Sequence, residues 1–141
     1  MTSPSPGAPA RRPADKEHPL VLIVDDNEKN LKLARDVLRA AGFQTLEATS
    51  GTEGIELAAE HLPNVILMDL RLPDMDGTDA AQRLGDDART ASIPVVALSS
   101  VPLEGDGEWL LDTGFAGYLE KPFSVREFPD QVRRYCARVA G

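Results

Sequence analysis

Three short apolar segments constrain the fold of this 141-residue chain more than any other feature. They read LVLIV at 20–24, VILM at 65–68 and VVAL at 95–98, and none of them alternates with polar residues. Continuous apolar strands of this length are typical of parallel sheets, because helices cover both faces of such sheets and bury every side chain. The sequence therefore predicts a sheet that is buried between two layers of helices.

The segments between these strands have the pattern of helices and weaker strands. Apolar residues recur at helical spacing, or helix start and stop residues appear, in five stretches: 27–42, 50–63, 78–87, 105–114 and 124–140. Weaker strands fit 45–48 and 116–120. Strand and helix thus alternate five times, and right-handed crossovers give an α/β fold with a doubly wound (βα)5 sheet.

Capping residues and one proline refine two of these helices. Ser50 with Glu53, and Ser124 with Glu127, have the spacing of a capping box at a helix start. Pro129 lies about one turn inside the last predicted helix and removes a backbone hydrogen bond. We therefore expect the last helix to start late or to kink at Pro129.

The charge and the single cysteine exclude several classes of function. The formal net charge is −8, which opposes binding to nucleic acid or to an anionic membrane surface but permits a divalent-cation site. Cys136 has no partner for an internal disulfide, so we expect a reducing, cytoplasmic location. No apolar run approaches the length of a membrane span.

The first nineteen residues differ from the rest of the chain. They contain five prolines and almost no large apolar residue, so they cannot bury enough surface to offset chain entropy. We expect residues 1–19 to be a disordered, proline-rich tail and residues 20–141 to form one folded domain.

Polar side chains mark the carboxyl ends of four of the five predicted strands. Asp25 and Asp26 follow the first strand, Asp69 the third, Ser99 the fourth and Lys121 the fifth. In open α/β sheets, ligands bind outside these strand ends. We therefore expect three carboxylates, a hydroxyl and an ammonium group to meet at one edge of the sheet.

The chemistry of these groups suggests a function. Three close carboxylates repel one another and raise one another's pKa values. Mg²⁺ relieves that repulsion, since it binds a few carboxylates together with waters and phosphate oxygens. A carboxylate in such a site can act as a nucleophile toward a phosphoryl group while the lysine stabilises the charge that is transferred. The added charge can then bias a nearby two-state element.

Four motifs together resemble the receiver domain of two-component response regulators. They are VDD at 24–26, MDLRLPDMDG at 68–77, ALSS at 97–100 and GYLEKPF at 117–123. The resemblance covers about 20–140 and every motif falls in the family's order. It implies a five-stranded parallel sheet with strand order 2-1-3-4-5, as in flavodoxin-like folds, and a requirement for Mg²⁺.

The resemblance also implies a role for each marked residue. Asp69 would accept the phosphoryl group, and Mg²⁺ would bind Asp25, Asp26, Asp69 and the backbone carbonyl of Arg71. Lys121 would pair with the phosphoryl group. The protein would then be enzymatic only in catalysing its own phosphorylation and dephosphorylation.

Further expectations concern the response to phosphorylation. The resemblance implies that Ser99 moves inward to bind the phosphoryl group and that Tyr118 changes rotamer with it. It also implies a cis peptide bond between Lys121 and Pro122. Trp109 stands where a solvated residue is expected, and Trp is favoured at interface anchors. We therefore hypothesise that Trp109 belongs to a partner surface formed by the predicted fourth helix, fifth strand and fifth helix.

The resulting hypothesis is a stand-alone response regulator. A sensor histidine kinase or a histidine phosphotransfer protein would supply the phosphoryl group, and the output would be contact with a downstream protein. The chain ends soon after the last predicted helix, so no DNA-binding or catalytic output domain is expected. The alternatives are a phosphate sink or phosphorelay intermediate, and a fragment of a larger regulator.

Two other classes of site are weighed against this hypothesis. DMDGT at 74–78 matches the opening motif of haloacid-dehalogenase-type phosphatases, which would make Asp74 the nucleophile. That motif should directly follow an apolar strand, whereas Pro73 intervenes here and Asp25 and Asp26 are left without a role. A flavin-binding module needs a loop after the first strand that binds phosphate. The segment DDNEKN at 25–30 is acidic and would repel a phosphate, which argues against such a module.

Overall fold

The computed structural model describes residues 18–99, 112–121 and 124–140, and these residues form five strands and four helices. The strands are β1 (Leu20–Val24), β2 (Gln44–Ala48), β3 (Val65–Asp69), β4 (Val95–Ser99) and β5 (Gly117–Glu120). The helices are α1 (Glu28–Ala40), α2 (Gly51–His61), α3 (Gly77–Asp86) and α4 (Phe128–Ala140). Of the helix predicted at 105–114, only 112–114 are described, and they form a short turn.

The strands form one sheet in the order β2-β1-β3-β4-β5, and every neighbouring pair is parallel. The predicted doubly wound α/β fold and its strand order 2-1-3-4-5 are confirmed. Val24 at the end of β1 is aligned with Met68 in β3, and Ser99 at the end of β4 is aligned with Glu120 in β5. This register brings the residues that follow the strands to one edge of the sheet.

Alternate residues of each strand pack into two separate cores, one on each face of the sheet. Val21 and Ile23 of β1 face the core that α1 and α4 cover, whereas Leu22 and Val24 face the core that α2 and α3 cover. Both cores consist of side chains that are almost fully buried. Within 18–99, 112–121 and 124–140, no helix is both long and apolar enough to cross a membrane.

The starts of α2 and α4 can be compared with the capping residues and the proline noted in the sequence. Ser50 caps α2 by accepting a hydrogen bond from the Glu53 N–H at 3.2 Å. Glu53 binds the Thr49 N–H at 2.8 Å, one residue before the position that a capping box uses. The late start expected for the last helix is confirmed, because α4 begins at Phe128 and Pro129 lies in its first turn, where no backbone donor is needed.

The residues before β1 contact the sheet. The His18 ring nitrogen Nδ1 lies 3.0 Å from the Gly42 carbonyl oxygen, and the Gln44 side chain donates to the His18 carbonyl at 2.9 Å. The Gln44 N–H also donates to the Pro19 carbonyl at 2.9 Å. The division into a tail at 1–19 and a domain at 20–141 stays a prediction.

Candidate functional site

Three aspartates converge at the carboxyl edge of the sheet. Asp25 and Asp26 directly follow β1, and Asp69 is the last residue of β3, which pairs with β1. Each of the three offers one carboxylate oxygen, and these oxygens lie within 4.8 Å of one another. The predicted convergence of Asp25, Asp26 and Asp69, called here the acid cluster, is therefore confirmed.

Lys121 joins two members of the acid cluster. Its Nζ lies 2.6 Å from Asp25 Oδ2 and 3.3 Å from Asp69 Oδ2. The side chains are 8% exposed for Lys121, 1% for Asp25 and 15% for Asp69, so water screens the pair weakly. One ammonium group thus offsets part of the charge of the buried carboxylates.

The two adjacent aspartates after β1 have different environments. Asp25 is buried, its Oδ1 accepts the Asn27 N–H at 2.9 Å, and its own N–H donates to the Ala48 carbonyl at 3.0 Å. Asp26 is exposed at the mouth of the site. Asp25 is therefore held in place by the protein, whereas Asp26 is accessible to an incoming ion.

The Asp69 carboxylate has a distinct partner at each oxygen. Oδ1 accepts the Arg71 N–H at 3.0 Å, and Oδ2 faces Lys121. Burial raises the pKa of Asp69 above its usual value, although the Arg71 hydrogen bond and the charge of Lys121 oppose that rise. The neighbouring charge of Asp25 adds to it. The fold therefore holds Asp69 in a setting where its negative charge is incompletely compensated.

The acid cluster fits a hard divalent cation. Its ligands are three carboxylates, and its charge exceeds what Lys121 alone can neutralise. Mg²⁺ prefers this combination of a few carboxylate oxygens with further ligands from water and phosphate. The donor atoms are therefore suited to Mg²⁺.

Ser99 and Tyr118 lie on β4 and β5, the two strands that follow β3 in the sheet. Ser99 ends β4 and is 3% exposed, and its carbonyl accepts the Lys121 N–H at 2.7 Å. Tyr118 is partly buried and packs against the core beneath α2 and α3. Trp109 and Pro122 lie outside the described residues, so the partner surface and the cis peptide bond stay predictions.

Backbone contacts join the two ends of the β3–α3 loop, residues 70–76. Arg71 pairs with Asp76 in an antiparallel bridge, and the Gly77 N–H donates to the Leu70 carbonyl at 2.8 Å. A Cβ at Gly77 would lie 2.4 Å from the Asp69 carbonyl oxygen, so a side chain would not fit there. Asp76 is the N-cap residue of α3, although its side chain makes no capping hydrogen bond.

Asp74 has a role that sequence reasoning missed. Its carboxylate accepts hydrogen bonds from the Gly51 N–H at 2.8 Å, the Thr52 N–H at 2.9 Å and the Thr52 hydroxyl at 2.7 Å. These bonds lower the pKa of Asp74 to about 2. Asp74 is thus bound to the start of α2 and is no member of the acid cluster, an arrangement that favours Asp69 over Asp74 as a nucleophile.

Comparison with known proteins agrees with this geometry. Residues 21–133 match the family model of the response regulator receiver domain. This chain belongs to that family. It is 41% identical over 115 residues to the polar-differentiation response regulator DivK of Brucella ovis, a match that covers 82% of this chain and 94% of DivK.

Solved receiver domains have the same fold. The receiver domain of the sensor histidine kinase PA1611 from Pseudomonas aeruginosa, which holds a magnesium ion in its active site cleft, has a TM-score of 0.77 at 30% identity. That match covers 85% of this chain and 98% of the other. The receiver domain of the Francisella response regulator 1452 has a TM-score of 0.77 at 28% identity and covers 86% and 98% of the two chains. Two-component signalling is thus the family context of this chain.

Proposed function

We propose that this receiver domain accepts a phosphoryl group on Asp69 from the phosphohistidine of a sensor histidine kinase or a histidine phosphotransfer protein. The observation that carries the proposal is the position of the Asp69 carboxylate. It lies at the end of β3, bound by Lys121 on one oxygen and beside two further carboxylates. It is 15% exposed, so a donor can reach it from the edge of the sheet.

The transfer replaces one bond to phosphorus by another. A carboxylate oxygen of Asp69 attacks phosphorus, the P–O bond forms and the P–N bond to the donor histidine breaks, leaving the electron pair on the histidine nitrogen. The Arg71 N–H orients the carboxylate through Oδ1. The Lys121 ammonium, 3.3 Å from Oδ2, is placed to stabilise negative charge on the transferred group.

Asp25, Asp26 and Asp69, with the backbone carbonyl of Arg71, would hold Mg²⁺ at this site. The ion would supply positive charge to the phosphoryl oxygens during transfer. The magnesium bound in the cleft of the related PA1611 receiver supports this assignment. In this chain, Lys121 Nζ lies 2.6 Å from Asp25 Oδ2 and 3.3 Å from Asp69 Oδ2 and so holds these two carboxylates together, while Asp26 stays exposed.

Phosphorylation would act on Ser99 and Tyr118. We expect the Ser99 hydroxyl to bind the phosphoryl group and Tyr118 to change rotamer as the strand end shifts. Downstream proteins would then bind one state better than the other, because a population shift requires a difference in affinity. The likeness to DivK, itself named a response regulator, supports a regulatory role.

Intact mass spectrometry tests this proposal. The protein is incubated with Mg²⁺ and acetyl phosphate, and the mass of one added phosphoryl group is expected for the wild type but not for Asp69→Asn. Peptide mapping of Asp74→Asn should still find the phosphate on Asp69. Phosphate on Asp74, or none on the wild type at any Mg²⁺ concentration, would overturn the proposal.

Capture of partners distinguishes a switch from a phosphate sink. The wild type with acetyl phosphate and Asp69→Asn are used as paired baits under the same Mg²⁺ concentration. A partner retained only by the phosphorylated bait supports the switch. Rapid loss of phosphate with no difference between the two baits would instead favour the sink.

A further inference from the structure

Asp74 connects two segments that are distant in the sequence. Its three hydrogen bonds reach Gly51 and Thr52, which lie 23 and 22 residues earlier in the chain. Met75 adds a packing contact, because a Cβ at Gly51 would lie 2.5 Å from the Met75 Cγ. The tip of the β3–α3 loop therefore rests directly on the first turn of α2.

The segment at the start of α2 is also bound to Asp25. The Ala48 carbonyl, three residues before Gly51, accepts the Asp25 N–H at 3.0 Å. The position of the α2 start is thus tied to the backbone of a residue in the acid cluster. Anything that holds the β3–α3 loop on this segment also fixes the loop relative to Asp25.

The loop end of the connection leads to Asp69. Asp74 lies three residues after Arg71, whose N–H binds Asp69 Oδ1 at 3.0 Å and which pairs with Asp76. Lys121 then joins Asp69 to Asp25. Together these contacts form a closed ring around the site: Asp25, Ala48–Thr52, Asp74, Arg71, Asp69 and Lys121.

Asp74 caps α2 from another part of the chain. The Ser50 hydroxyl accepts only the Glu53 N–H of this helix start, whereas Asp74 accepts the N–H groups of Gly51 and Thr52 from the β3–α3 loop. The contribution specific to Asp74 is the connection to the loop. The Asp74 carboxylate is ionised at neutral pH, and the same hydrogen bonds, which lower its pKa to about 2, keep it ionised in mild acid as well.

We propose that Asp74 is a positioning residue that sets the spacing of the metal and acceptor groups. It does so by fixing the β3–α3 loop, which carries Arg71, against the segment that is bound to Asp25. This inference rests on the proposed function for the identity of the ion and the acceptor. Asp74 itself contacts neither.

The test compares Asp74→Ala with two matched controls. Asp76→Ala removes the same charge from the same loop but no capping hydrogen bond, and Ser50→Ala removes the hydrogen bond that caps the same helix through the Glu53 N–H. Mg²⁺ affinity is measured by calorimetry on the full chain. The dissociation constant should rise on the order of 10-fold in Asp74→Ala, the low end for groups that orient metal ligands, and stay unchanged in both controls.

A second measurement reports the loop directly. Amide hydrogen exchange of the Arg71 N–H, which binds Asp69, should accelerate in Asp74→Ala and keep its wild-type rate in Asp76→Ala and Ser50→Ala. If Asp74→Ala fails to fold, Thr52→Val replaces it. That change removes only the hydroxyl donor at 2.7 Å from Asp74. It should raise the Mg²⁺ dissociation constant and the exchange rate of the Arg71 N–H, each by less than expected for Asp74→Ala.

The outcomes separate this inference from the proposed function. A wild type that takes phosphate on Asp69, with an Asp74→Ala variant equal to the controls in Mg²⁺ affinity and Arg71 exchange, overturns the inference and leaves the function intact. A wild type that takes no phosphate overturns the function, and the Mg²⁺ titrations still decide whether Asp74 sets the spacing. Equal losses in Asp74→Ala and Ser50→Ala would also overturn the inference, since the helix cap alone would then explain them.

Discussion

Asp69 and Asp74 lie five residues apart, yet the fold places them in opposite chemical environments. Asp69 is mostly buried beside two other carboxylates, and this burial raises its pKa. Asp74 is exposed on the loop, and hydrogen bonds from Gly51 and Thr52 lower its pKa to about 2. The difference teaches that a carboxylate becomes a candidate nucleophile where its charge is poorly compensated, and a structural group where donors saturate it.

The largest expected effect comes from breaking the ion pair on the Asp69 side. Lys121→Met leaves two buried carboxylates without their ammonium partner, and the loss of one member of a buried pair typically costs about 3 kcal/mol. Urea unfolding without divalent cation measures this loss. Arg89→Met is the control, because Arg89 is 68% exposed in its pair with Asp87 and such pairs contribute less than about 1 kcal/mol. Equal losses in the two variants would contradict the burial argument.

Gly77→Ala tests the connection between the two regions. A methyl group there would meet the Asp69 carbonyl oxygen at 2.4 Å, and overpacking of this kind costs about 2 kcal/mol. The same substitution at Gly85 in α3 meets nothing within 4 Å and should stabilise the protein by about 0.5–1 kcal/mol, as Ala does in helices. Thermal unfolding of both variants measures the two changes in stability, which should have opposite signs. Stabilisation by Gly77→Ala would show that the loop is free to move away.

Mg²⁺ should bind on the Asp69 side of the comparison, at the acid cluster. At ten times its dissociation constant, the ion should stabilise the wild type by about 1.4 kcal/mol, because it binds the folded acid cluster and not the unfolded chain. Asp25→Asn should lose most of that gain, whereas Asp76→Asn should keep it. Melting temperatures measured with and without Mg²⁺, with Ca²⁺ as a second ion, check this expectation.

The pH dependence of stability should have opposite signs at the two aspartates. The Asp74 pKa falls from 3.8 to about 2 on folding, so Asp74 stabilises the fold above about pH 4 and loses that contribution as the pH falls toward 2. The raised pKa of Asp69 means that the folded state holds its proton more tightly, so the contribution of Asp69 falls as the pH rises through the raised pKa. Urea unfolding of Asp74→Asn and Asp69→Asn against the wild type from pH 2 to 6 measures both slopes. Parallel slopes would refute the contrast.

The fold and the acid cluster could be predicted from the sequence because each functional group stands at the carboxyl end of a predicted strand. Asp25, Asp69 and Lys121 are placed by backbone pairing, so the order of the strands alone brings them together. The start of α4 was predictable only in part, because Pro129 favours the first turn of a helix whereas the spacing of Ser124 and Glu127 indicates a start about four residues earlier.

The contacts of Asp74 could not be predicted in this way. They depend on where a loop comes to rest on a helix from another part of the chain, and no local pattern encodes that distance. Glu53 illustrates the same limit on a smaller scale. The spacing of Ser50 and Glu53 indicates a capping box, in which Glu53 would accept the Ser50 N–H. In the structure Glu53 accepts the Thr49 N–H instead, one residue earlier, and this difference depends on the local backbone conformation.

A backbone hydrogen bond joins the carboxyl ends of β4 and β5. The Lys121 N–H donates to the Ser99 carbonyl at 2.7 Å, which couples the strand end that carries the hydroxyl to the residue that carries the amine. A shift of either strand end must therefore carry the other with it. Because the bond joins two backbone groups, this coupling holds whatever side chains occupy the two strand ends.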